Sequence, residues 1–136
     1  MAHSFRDLLV WQKSMSLTEE IYRLTQGFPH EEIYGMTSQM RRAAVSLPSN
    51  IAEGHGRLNT GEFIQFLGIA RASNCELQTQ LELARRLKMG DQERVNAAEK
   101  LSHEVGKMLF STIESLKEKS NSGVALGNSG SSLTDV

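Results

Sequence analysis

The sequence holds a single cysteine, Cys75. That excludes a disulfide framework within the chain and argues against a cysteine-based metal site. No run approaches the roughly 18 apolar residues that cross a bilayer. The first residues, MAHSFRDLLVWQK, lack a basic segment followed by an apolar block and a cleavage site. A soluble, cytoplasmic protein with no membrane partner is therefore expected. Neither sign of charge is in excess, with 15 Lys and Arg against 16 Asp and Glu. Asp135 is the only charge beyond residue 119, so residues 1–119 balance at 15 of each sign. Total charge makes no case for nucleic acid, although a neutral body can still carry a basic patch.

What the 136 residues do carry is helical periodicity, with no convincing strand. The length suits one domain with a single core. Four helices are expected, over residues 4–27, 34–54, 59–89 and 91–119. The first opens at Ser4 with Asp7 three residues on, a capping-box pattern, and stops at Gly27 before Pro29. The third opens at Asn59 with Glu62 in the matching position and stops at Gly90. Asp91 is the N-cap of the fourth. Residues 120–136, SNSGVALGNSGSSLTDV, are Gly/Ser-rich without periodicity and read as a disordered tail. The bundle domain is thus placed at residues 1–119. The third helix would be about 45 Å long at 1.5 Å per residue. Short connections between long helices favour antiparallel neighbours, hence an all-α, antiparallel up-down four-helix bundle.

Helical wheels locate the apolar residues. The fourth helix has one face: Ala98, Leu101, Val105, Met108, Leu109 and Leu116. The first has two adjoining stripes, Val10, Leu17, Ile21, Leu24 and Phe28, then Leu8, Trp11, Met15 and Tyr22. Together they are wider than the ~100° a surface helix needs. The third has a main stripe from Phe63 to Ala84 and a second face of Ile69, Ala72, Leu83 and Leu87, with Glu76 and Gln80 among them. An extra apolar face on two helices points to self-association, with Trp11 and Tyr22 as candidate interface residues. Uneven packing within a monomer is the plain alternative.

The second helix contains Pro48, which cannot donate to the carbonyl of Ala44 and clashes with it, at a cost of about 3 kcal/mol. A kink of more than ~20° is expected over residues 44–48. Ser46 and Ser49 can satisfy the freed backbone groups. The other option is a true break, with Ser46 capping a fresh short helix. The bend can simply wrap a long helix around a bundle, or it can shape a polar surface made of Arg42, Ser46, Ser49, Asn50 and Glu53.

Three blocks carry a resemblance: FRDLLVWQKSMSLTEEIYRLTQGFP, YGMTSQMRRAAVSLPSNIAEGHGR and EFIQFLGIARASNCELQTQLELARRL. They resemble the four-helix bundle proteins encoded within intervening sequences of bacterial 23S ribosomal RNA genes. The likeness covers residues 5–87, most specifically SLPSNIAEG, while the fourth helix matches in length and amphipathicity only. The resemblance implies an up-down bundle assembled as a ring-shaped homopentamer. A similar fold serves as the accessory protein of diversity-generating retroelements, where a basic pentamer binds a reverse transcriptase and nucleic acid. RNA or a nucleic-acid-processing protein is thereby implied as a partner. No catalytic residue and no cofactor carries over.

This chain is neutral where those accessory proteins are basic, so phosphate binding requires clustered cations. The candidates are Arg41, Arg42 and Arg57 near the second helix, and Arg71, Arg85, Arg86 and Lys88 on the third. Glu53, Glu76 and Glu82 lie close enough in sequence to pair with them. Glu76 falls on an apolar face and is expected to be buried against Arg41 or Arg42, within the chain or across a subunit boundary. Arg71 and Asn50 are either interface or ligand contacts.

The alternative is a metal- or ligand-binding helical enzyme. Di-iron bundles use Glu-x-x-His pairs. None is present. Glu99 and His103 form one weak i, i+4 pair, and His55 is expected exposed in a glycine-flanked loop. Cys75 lies on the polar side of the third helix between Arg71 and Gln78, without a convincing base. GxxxxGK[ST] is absent. The leading reading is a non-enzymatic oligomeric scaffold or adaptor.

Overall fold

The computed structural model describes residues 4–125. Four α-helices fill them: α1 (Leu9–Gln26), α2 (Met36–His55), α3 (Thr60–Arg86) and α4 (Gln92–Ala125). No strand occurs among the described residues. α4 continues past residue 119, where the helix was expected to end. From residue 126 on, the expected tail lies outside the described residues. No helix among them is long and apolar enough to cross a membrane.

Local chemistry sets the boundaries. Ser4 does cap a helix, but only the 3-10 turn Phe5–Asp7, by accepting from the Arg6 N–H. Leu8 then turns extended, at φ −74° and ψ 124°, which tucks its side chain into the core at 2 % exposure. α1 therefore starts later than its capping pattern suggests. Asn59 caps α3 as expected, its Oδ1 accepting from the Glu62 N–H at 2.8 Å. α3 ends before Gly90, because Lys88 has already turned left-handed at φ 55°. Asp91 Oδ1 accepts from the Glu93 N–H at 2.9 Å and opens α4.

Each helix packs on two others, α2 on α1 and α3, α4 on α3 and α1. Among the described residues the diagonal pairs never come within 8 Å between Cα atoms. Cross-helix contacts pair rising numbers on one helix with falling numbers on the next. Thr18 and Thr25 meet Ala44 and Arg41; Ser46 meets Ser73 while Gly54 meets Phe63. Asn74 meets Ser102 and Arg85 meets Asn96; Lys13 meets Glu104 and Glu20 meets Arg94. Adjacent helices that run in opposite directions produce this pattern.

Leu17, Ile21, Met40, Leu47, Ile51, Phe63, Leu77, Leu81 and Leu109 are fully buried along the axis. Each such side chain contributes about 1.5–3 kcal/mol. Two of them offset the ~3 kcal/mol cost of a helical proline. α2 accordingly stays one α-helix with Pro48 inside it, and Ser46 does not cap a fresh one. Gly54 lets α2 press against α3, since a Cβ there would lie 2.7 Å from Phe66 Cβ.

Candidate functional site

The 3.6-residue repeat that buries Met40, Leu47 and Ile51 turns Arg42, Ser49 and Glu53 to the outside of α2, with all three exposed. Ser46 and Asn50 lie half-buried toward α3. Ser46 Oγ and Ser73 Oγ are 2.8 Å apart. Asn50 Nδ2 donates to the Ser46 carbonyl at 2.8 Å and to Ser46 Oγ at 2.9 Å. This hydroxyl and amide seam borders a groove of about 440 Å³, with Arg42 on one wall and Glu76 on the other. Arg42 Nη2 donates to Ser38 Oγ at 3.2 Å. Ser49 makes no side-chain hydrogen bond among the described residues.

Glu76 departs from expectation. Within the chain it is exposed, not buried, and pairs with neither Arg41 nor Arg42. α3 buries the Leu77 side instead, and Glu76 stands on the helix face opposite the core. Arg41 is committed elsewhere. Its Nε donates to Thr25 Oγ1 at 2.8 Å and its guanidinium sits 4.6 Å above the Tyr22 ring, tying α2 to α1.

The other arginines divide by partner. Arg57 pairs with Glu53 at 3.3 Å and covers the Phe66 ring. Arg85 reaches Glu82 at 2.6 Å, Glu99 at 2.8 Å and Asn96 at 3.1 Å. Arg86 Nε pairs with Glu82 at 3.0 Å. The hydrogen bond from Arg86 holds the Glu82 carboxyl below its ordinary range, and the bond to Glu99 pushes Arg85 up. Exposed pairs of this kind contribute little to stability. They do occupy the charge that a phosphate would need. Arg71 is exposed, 5.7 Å from the Phe110 ring centroid, and has no carboxylate partner among the described residues.

Two further expectations change. Glu99 pairs with Arg85 rather than with His103. His55 is the last residue of α2, half-buried edge-on to Phe63 at 5.8 Å, not exposed in a loop. Among the described residues no three His, Cys, Asp or Glu side chains are grouped to hold a metal ion.

The apolar surplus resolves differently on the two helices. On α1, Trp11 packs edge-on against Phe5 at 5.2 Å and is half-buried, as is Met15. Tyr22 keeps 39 % of its surface exposed. On α3 the second face stays open, with Ile69 44 %, Leu83 43 % and Leu87 60 % exposed and Ala72 exposed between them.

The sequence pattern of the 23S rRNA-intervening sequence proteins matches residues 6–111. The chain belongs to that family. The match enters α4, beyond the three blocks within residues 5–87. No functionally curated protein matches the sequence. Among solved structures the chain is similar to a protein of unknown function from the S23 ribosomal protein family of Bacteroides thetaiotaomicron VPI-5482. The two share 28% identity at a TM-score of 0.72, over 78% of this chain and 96% of the other.

Sequence reading missed the groove between α3 and α4, where Lys107 and Phe110 stand opposite Arg71. Phe110 lies just off the buried stripe of α4, and that offset is the signal that could have drawn attention to it.

Proposed function

We propose that this protein is a non-enzymatic helical scaffold that works in the cytoplasm as a homo-oligomer. The family resemblance implies a homopentamer. Its ligand is RNA or a nucleic-acid-processing protein, met by the outward polar flank of α2 around Arg42. The exposed apolar face of α3 supports this reading most directly. Ile69, Ala72, Leu83 and Leu87 line one side of a helix whose opposite side already fills the core. Exposed apolar side chains grouped on one helix face, here at its two ends, mark association sites. Glu76 in their midst, with no ion-pair partner among the described residues, suits a cation from a neighbouring copy.

Light scattering with metal analysis on purified protein tests the reading. A particle of about five chains without stoichiometric metal is expected. A monomer or dimer carrying bound iron would favour a metal enzyme instead. Binding of RNA through phosphates should weaken as salt rises. Arg42→Glu should lower RNA affinity or disturb assembly, and a variant normal in both respects would remove the α2 flank from the proposal.

A further inference from the structure

The groove between α3 and α4 is separate from the α2 flank. It encloses about 380 Å³, with Arg71 and Gln78 on one wall, Lys107 and Phe110 on the other, and Asn74 and Gly106 along its base. No carboxylate lines it. Neither Arg71 nor Lys107 has a carboxylate partner among the described residues. The nearby acids are taken: Glu82 and Glu99 by Arg85, Glu104 by Lys13, Glu114 by Lys117. A neutral body thus holds a locally positive groove.

Phe110 is 52 % exposed at this groove. Arg71 sits 5.7 Å from its centroid, at the outer limit of a cation–π contact, and leaves the ring surface loosely covered. The base of the groove is fixed. Asn74 Nδ2 donates to the Ser102 carbonyl at 3.0 Å, and a Cβ on Gly106 would come within 3.2 Å of that nitrogen.

We infer that this groove binds single-stranded nucleic acid, with a base stacked on Phe110 and neighbouring phosphates held by Arg71 and Lys107. An open aromatic face beside unpaired cations is the pairing that strand-tracking proteins use. A duplex keeps its base faces stacked inside, and a run of Asp and Glu offers charge but no aromatic base to stack on the ring. The inference rests on the nucleic-acid part of the proposed function and is independent of self-association.

The test is fluorescence anisotropy of labelled oligouridine with the full-length protein over a range of salt. Arg71→Gln and Lys107→Gln should each weaken binding and lower the log–log salt slope by about 0.7. Phe110→Ala should weaken it roughly 5- to 150-fold with the slope unchanged, and Phe110→Trp should retain it. Duplex RNA and polyglutamate should compete poorly. Circular dichroism and light scattering should show helicity and particle mass unchanged in these variants. The inference is overturned by no oligouridine binding even at low salt, by normal binding in the groove variants, or by equal displacement by polyglutamate. Loss of assembly together with binding would make the groove a subunit contact and also overturn it. If Arg42→Glu alone abolishes binding, the α2 flank holds the ligand and the proposed function survives without this groove.

Discussion

The Thr18 hydroxyl on α1 donates to the carbonyl of Ala44 on α2 at 2.9 Å. That carbonyl is the one Pro48 leaves without its helical N–H. Ala44 is fully buried, so water cannot replace the missing donor. The same hydroxyl lies 2.9 Å from the Ser14 carbonyl, so one proton serves both acceptors. The proline is accommodated by a neighbouring helix, and the flanking serines are left for other work. Ser46 faces Ser73, and Ser49 faces solvent.

Thr18→Val should therefore destabilise the protein by about 1–3 kcal/mol in chemical denaturation, the usual cost of a buried acceptor left unpaired. Pro48→Ala returns an N–H to Ala44. In that background Thr18→Val should cost clearly less, and equal costs in both backgrounds would separate Thr18 from the proline.

Gly54→Ala should lower stability by about 1–3 kcal/mol through overpacking. Its Cβ would meet Phe66 Cβ at 2.7 Å and Phe63 Cδ1 at 3.0 Å. Both belong to α3, so relief requires the two helices to part. Thermal melting of the variant reads the effect, and an unchanged midpoint would show that α2 can shift freely.

Asn74 and Ser102 form a buried reciprocal pair between α3 and α4. Ser102 Oγ donates to Asn74 Oδ1 at 2.7 Å, and Asn74 Nδ2 donates back to the Ser102 carbonyl. Ser102→Ala strands the Asn74 oxygen and should cost about 1–3 kcal/mol. Adding Asn74→Leu should recover part of that loss in urea unfolding, because both polar partners are then gone.

Glu82 provides a pH prediction. The bond from Arg86, and next the one from Arg85, holds its carboxyl below the ordinary range in the folded state. A carboxyl depressed by folding adds stability above its unfolded pKa. That contribution is lost as pH falls through the folded value. Carbon-detected NMR titration should place the Glu82 midpoint below that of a free glutamate. Arg86→Ala should move it upward, and an unmoved midpoint would assign the shift to Arg85.

The helices, the caps at Asn59 and Asp91, and the core stripe of α3 were legible because they depend on local periodicity and on side chains within a few residues. The start of α1 was not. The Ser4 cap is real, yet burial of Leu8 interrupts the helix four residues later. Glu76 was misplaced because an apolar face on a wheel does not say whether the chain itself covers that face. The donor for Ala44 comes from 26 residues away, a separation at which no spacing rule applies. For the same reason, Arg71, Lys107 and Phe110 become one groove only when α3 and α4 are packed together.

Under the proposed function, the open face of α3 draws copies of the chain together. Size-exclusion chromatography with multi-angle light scattering measures it directly. A particle of about five times the 15.1 kDa chain is expected, broken down by Leu83→Asp while helicity is kept. A 15.1 kDa species that persists at high concentration would contradict it.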